Sequence, residues 1–151
     1  MELTDNPGRP PARIRVGGPA GTEPYEVVVG HRLLGELPGL IGNAGGPPAG
    51  GRGRVAVLHP EALAGTGGAI RDTLAAHGYE AVTVQVPNAE EAKTVEVAAH
   101  CWKALGLRGF TRTDVIVGVG GGATTDVAGF VAASWLRGVR WIAVPTTVLG
   151  M

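Results

Sequence analysis

Apolar residues in this chain fall into two kinds of run that take turns. Short, nearly unbroken, β-branched stretches read as strands buried on both faces: Arg54 to Leu58, Ala81 to Val86, Asp114 to Gly118 and Val139 to Val144. Between them apolar residues recur at helical spacing. Glu61 to His77 is one predicted helix, weakened in its middle by Gly65, Gly67 and Gly68 and closed by Gly78 as C-cap. A second sets Val95, Ala98, Trp102 and Leu105 on one face, with Asn88 as its N-cap and Glu91 at the spacing of a capping box. The third, from about Thr124 to Arg137, is expected to bury Val127, Phe130, Val131 and Ser134 or Trp135 before stopping at Gly138. Farther upstream, Arg13 to Val16 and Tyr25 to Val29 flank a Gly/Pro segment and predict a β-hairpin. His31 to Ile41 carries a stripe of Leu33, Leu34, Leu37 and Leu40 or Ile41 and predicts a short helix.

This alternation defines an α/β fold: a Rossmann-like parallel sheet with right-handed crossovers, helices on both faces and an N-terminal β-hairpin. Residues 1–12 read as a disordered tail and 13–151 as one α/β domain, with the glycine-rich stretch 42–53 a mobile loop without chemistry. The last strand runs into Pro145-Thr146-Thr147-Val148-Leu149-Gly150-Met151 with no polar tail, so the domain is expected to be incomplete at its C-terminal end.

The topology turns three polar clusters into one candidate site. In such sheets ligands bind outside the carboxyl ends of the strands. Asn88 to Lys93, Gly120 to Asp126 and Thr146-Thr147 all follow strands and converge on that rim. The central cluster is the most informative. A buried strand leads through Gly120-Gly121-Gly122 into Ala123-Thr124-Thr125-Asp126, which opens a helix. The first amides of a helix lack intrahelical partners and sit at the positive end of its dipole, and glycine lets a ligand approach without meeting a Cβ. Strand, glycine turn and helix start together make an anion site for a phosphate or pyrophosphate. The plainer reading is a tight βα turn, which does not require three glycines in a row.

Composition narrows the field. The 151 residues carry 13 basic and 13 acidic side chains, so no global field points to nucleic acid or an anionic membrane. Three Trp, two Tyr and two Phe are not interleaved with basic residues, which argues against a base-stacking surface. One cysteine, Cys101, excludes an internal disulfide and suits a reducing cytoplasm. No apolar run approaches the ~20 residues of a membrane span, and the polar, proline-rich start is unlike a secretory signal.

Other motifs are weaker. Gly118-Val119-Gly120-Gly121-Gly122-Ala123 fits the G-x-G-x-x-G/A fingerprint, but the acidic residue expected after the next strand is missing, since no Asp or Glu follows Asp126. A P-loop is absent. Asp126, read as a first-turn residue, is either a helix-start acid or a ligand contact. Lys93 is a solvated lysine or a group at the mouth of the sheet. His31, His59, His77 and His100 show no metal-ligand spacing, and Cys101 reads as a core residue. Arg137 is either a dipole cap or an anion hook.

Val119 to Ala133, Trp135-Leu136-Arg137-Gly138-Val139 and Val144-Pro145-Thr146-Thr147-Val148-Leu149 closely resemble the 3-dehydroquinate synthase family of the sugar-phosphate cyclase superfamily. Pro87-Asn88-Ala89-Glu90-Glu91-Ala92-Lys93 is similar to that family's proline-aspartate-glycine-glutamate-x-x-lysine segment, with Asn88 and Ala89 as departures. The resemblance covers most of the chain from about Arg13. It implies an NAD-dependent lyase of the shikimate pathway, and so of aromatic amino acid and chorismate biosynthesis. The enzyme converts 3-deoxy-arabino-heptulosonate 7-phosphate into 3-dehydroquinate and phosphate. By that resemblance Asn88, Glu90, Glu91, Lys93, Gly120, Gly121, Gly122, Ala123, Thr124, Thr125, Asp126, Thr146 and Thr147 contact NAD. Arg137 matches an arginine that reaches the substrate phosphate across a dimer interface.

The resemblance also implies a cytoplasmic homodimer acting on a small sugar phosphate, with a divalent metal, zinc or cobalt, in the full-length enzyme. The family's lysine segment and its metal-binding glutamate and two histidines have no counterpart before Met151. The helical metal domain is therefore expected to be absent, and residues 1–151 to bind no catalytic metal and to be inactive alone. Three other readings share these motifs: a different cyclase (aminodehydroquinate or 2-deoxy-scyllo-inosose synthase), a glycerol-dehydrogenase-like enzyme, and a non-catalytic NAD-binding remnant.

Overall fold

The structure, a computed structural model, describes residues 10–18, 23–43 and 53–151. The predicted loop 42–53 lies outside them except at its ends, as does the tail up to residue 9. The chain divides after Leu37 into two units.

The first unit contains the predicted hairpin. Strand β1 (Ala12–Val16) runs antiparallel to β2 (Tyr25–Val29), with Ala12 opposite Val29 and Val16 opposite Tyr25. The strand thus takes in Ala12, which the sequence assigned to a disordered tail, because a backbone partner extends to that position. Side chains alternate across a strand. Ala12, Ile14, Val16, Tyr25, Val27 and Val29 therefore share one wholly apolar face, on which Ile14, Tyr25, Val27 and Val29 are exposed. On the other face Arg13 reaches Glu26 and Glu36, each at 2.8 Å. The helix predicted from His31 begins instead as a 3-10 turn, Leu33–Glu36, behind a left-handed Arg32. It continues as α1 (Leu37–Asn43).

In the second unit four strands lie parallel in the order β4-β3-β5-β6: β3 (Arg54–Pro60), β4 (Glu80–Val86), β5 (Val115–Gly120) and β6 (Arg140–Pro145). They are joined through α2 (Ala64–Ala76), α3 (Val95–Leu107) and α4 (Gly122–Ser134). The step from β3 to β4 goes one way along the sheet and the next two go the other. Right-handed crossovers therefore put α2 on one face and α3 with α4 on the opposite face. Ala56, Leu58, Val84, Val86 and Ile116 form a core with Ala98, Cys101, Leu105, Val127, Ala128 and Val131 of α3 and α4. The intervening Val55, Val57, Val115 and Val117 are also fully shielded, so the sheet is covered on both sides. Every residue of β5 is buried.

Gly118 shows why α4 packs so close: a Cβ there would lie 2.5 Å from the Ala128 methyl group. The buried Asp114 fixes the entry to β5, accepting hydrogen bonds from the Arg54 amide (2.8 Å), the Thr111 amide (2.6 Å) and the Thr111 hydroxyl (3.0 Å).

Three predicted details are corrected. Asn88 makes no side-chain cap. The chain turns through a 3-10 segment, Ala89–Ala92, and α3 starts only after Thr94, whose hydroxyl accepts from the Val97 amide at 3.2 Å. Helix α4 begins at Gly122 and ends at Ser134, followed by a 3-10 turn Trp135–Arg137. Phe130 is 57% exposed rather than buried, because Val127, Ala128 and Val131 take the sheet-facing positions. Its ring instead lies 6.2 Å from that of Trp102.

Candidate functional site

The crossover direction reverses between β3 and β5, and doubly wound sheets bind ligands outside the carboxyl ends of the strands at such a point. At that point β5 turns into α4 through the three glycines, and each does something different. Gly120 lets Thr124 pack inward, since a Cβ would come within 2.7 Å of the Thr124 hydroxyl oxygen. Gly121 faces Thr147, 3.2 Å from where its Cβ would stand. A Cβ on Gly122 would meet nothing within 4 Å, so this glycine opens onto free space.

Gly121 is the N-cap of α4 and supplies no side chain to cap it. The Thr125 amide donates to the Gly121 carbonyl at 3.1 Å, and the Thr125 hydroxyl turns back to the Gly122 carbonyl at 3.0 Å. An open backbone at an uncapped start of a 13-residue helix fits an anionic group. Beside it the Thr146 amide donates to the Gly120 carbonyl at 2.9 Å, docking Pro145-Thr146-Thr147 against the glycine turn. The Thr147 hydroxyl accepts from the Gly150 amide at 3.2 Å.

Lys93 joins the second cluster to the first. Its ammonium lies 3.0 Å from Asp126 Oδ2 and 3.3 Å from Glu90 Oε2. The hydrogen bond to Asp126, and then that to Glu90, raises the lysine pKa above its ordinary value. Asp126 does not sit in the first helical turn as expected, since α4 starts two residues earlier and has no acid there. Pairing with Lys93, rather than the dipole, is what engages its carboxylate. Lys93, Thr94, Val95, Ala98, Asp126, Val127 and Phe130 line a cleft of about 340 Å³ between the start of α3 and α4. Asn88 and Glu91 are exposed on the same segment.

Arg137 is not brought to this rim. It follows α4 at the amino edge of the sheet, a helix length of about 20 Å away. Leu136 (φ 49°) and Arg137 (φ 68°) both adopt left-handed backbone there, a conformation that strains non-glycine residues. Glu61 escaped sequence reading. The register pairs Leu58 with Gly118, and β3 ends at Pro60, so the 3-10 turn opening at Glu61 follows the strand that neighbours β5. The fingerprint seeks its acid downstream; here an exposed acid stands after an upstream strand that only the strand order places beside β5. Among the described residues no three His, Cys, Asp or Glu side chains gather into a group that could hold a metal ion.

Fold and rim together define the class. The structure superimposes on 2-deoxy-scyllo-inosose synthase in complex with carbaglucose-6-phosphate, NAD+ and Co2+, with a TM-score of 0.77 at 21% identity, over 92% of this chain and 36% of that one. It also matches 2-epi-5-epi-valiolone synthase from Streptomyces hygroscopicus subsp. jinggangensis 5008 with NAD+ and Zn2+ bound, with a TM-score of 0.66 at 26% identity, over 89% of this chain and 35% of that one. The second unit is thus a doubly wound α/β domain of the sugar-phosphate cyclase fold.

Sequence carries the assignment further. Residues 83–151 match the family described as 3-dehydroquinate synthase N-terminal. The 3-dehydroquinate synthase of Streptomyces avermitilis is 76% identical over 139 residues, and that of an Arthrobacter species 52% over 138. Its sequence similarity thus runs to the N-terminal part of the 3-dehydroquinate synthase family. The chain spans 36% of the length of both relatives, and 92% and 91% of its own residues are matched. No helix among the described residues is long and apolar enough to cross a membrane.

Proposed function

We propose that this chain is the NAD-binding part of a 3-dehydroquinate synthase, which converts 3-deoxy-arabino-heptulosonate 7-phosphate into 3-dehydroquinate and phosphate in the shikimate pathway. The uncapped, Cβ-free junction of β5 with α4 at the crossover reversal carries the reading. In it the amides following Gly121 hold the pyrophosphate, with Thr146 and Thr147 walling the turn. Glu61, which follows the strand beside β5, accepts from the adenosine ribose in place of the missing downstream acid. NAD supplies a reversible hydride acceptor when bound; the contribution of this chain is to position it and neutralise its phosphates. Arg137, remote from the rim, serves the substrate phosphate of a second subunit in a cytoplasmic homodimer. Residues 1–151 alone are taken to lack synthase activity, since the lysine segment and metal ligands that the family resemblance implies have no counterpart among them.

Calorimetric titration of residues 1–151 with NAD tests the reading. Saturable binding that Gly122→Val abolishes is the expected result, because the added side chain would occupy the anion position. Absence of binding, or binding indifferent to Gly122→Val, would refute it. Turnover by residues 1–151 supplied with NAD and zinc would refute the claim of inactivity.

A further inference from the structure

Among the described residues lining the cleft Lys93 is the one cation, and two carboxylates hold it. Lys93 ends the 3-10 turn Ala89–Ala92 and immediately precedes Thr94, the cap of α3. Asp126 stands in the second turn of α4. Their contact at 3.0 Å therefore ties the two walls of the cleft together, while Thr94 and the apolar Val95, Ala98, Val127 and Phe130 complete the lining.

Resting on the nucleotide reading of this rim, we propose that Asp126 is a clasp on Lys93. It holds the ammonium group across the cleft, and a diphosphate arriving at Gly122 draws the lysine away to itself. Gly122 precedes Asp126 by four residues, so the ammonium travels about one turn, roughly 6 Å along the axis. That is within the sweep of a four-carbon stem. The clasp is weak enough to yield: the lysine side chain is 39% exposed and the aspartate 65%, and solvated ion pairs contribute little. The anion, by contrast, gains the helix amides as well as the lysine. Once released, the Asp126 carboxylate becomes available as a hydrogen-bond acceptor for ligand hydroxyls. Glu90, at 3.3 Å, is the second arm of the same clasp.

Simple removal of a negative charge near an anion site would also tighten binding, so the test is a double-mutant cycle. Inorganic pyrophosphate is titrated calorimetrically into wild-type residues 1–151, Asp126→Asn, Lys93→Met and the double variant, with NAD as a second probe of the wild type. Thermal melts check that each remains folded. The expected pattern is a two- to fivefold gain in pyrophosphate affinity for Asp126→Asn, about the strength of an exposed ion pair. Lys93→Met is expected to lose affinity, and adding Asp126→Asn to it to restore nothing. A gain that persists without Lys93, or no gain at all, overturns the clasp while leaving the nucleotide reading in place. A wild-type chain that takes neither pyrophosphate nor NAD overturns both.

Discussion

Gly118 has no room for a methyl group. Its Cβ would press on the Ala128 methyl at 2.5 Å, between a strand and a helix that are both buried and cannot easily part. Gly118→Ala should cost about 1–3 kcal/mol in urea denaturation, and Ala128→Gly in the same chain should recover part of the loss. Cys101 shows burial acting on chemistry. It is fully buried, and desolvation pushes its thiol up from 9.0 to about 11. In the folded chain it should resist a thiol-specific reagent at neutral pH and react once urea unfolds the protein. The raised pKa means the native state keeps a proton that the unfolded state gives up. Stability from this group is thus complete below pH 9.0 and lost as pH climbs through about 11. Lys93, also raised, adds loss of the same sign above its ordinary 10.5. A pH series of melting temperatures falling above pH 9 checks both; a rise there would contradict them.

Among elements, the segment between β4 and α3 separates what sequence could show from what it could not. Asn88 and Glu91 present a capping box by spacing alone, yet Ala89 takes φ 47° and sends the chain into a 3-10 turn before the helix starts. The operative cap is Thr94. Thr94→Ala should lower stability by about 0.5–2 kcal/mol in urea titration, with Asn88→Ala well below that. The reverse order would restore the capping box. Strands and crossovers were legible because β-branched runs such as Val115-Ile116-Val117 have no comfortable alternative to a covered sheet. Helix starts were less so. The start of α4 at Gly122 depends on Thr125 bonding back to Gly121 and Gly122, a choice that the glycine-rich sequence leaves open.

At the scale of the molecule, the three rim clusters were legible in sequence because parallel strands place their carboxyl ends together. The place of Glu61 was not, because adjacency of β3 and β5 is a fact of strand order rather than of spacing. The two units should also differ in durability. A lone two-stranded hairpin with an exposed apolar face has little to hold it. Amides of β1 and β2 should therefore exchange hydrogen well before those of β5, a contrast that mass spectrometry after brief deuterium labelling resolves. Equal protection would refute it. The pairing of Leu58 with Gly118 has a kinetic consequence as well. It joins segments separated by an entire strand and two helices, so closing it carries the largest loop entropy in the sheet. The glycine turn acquires its neighbour only when that late step is complete. A bound nucleotide should accordingly retard unfolding while leaving the rate of refolding nearly unchanged.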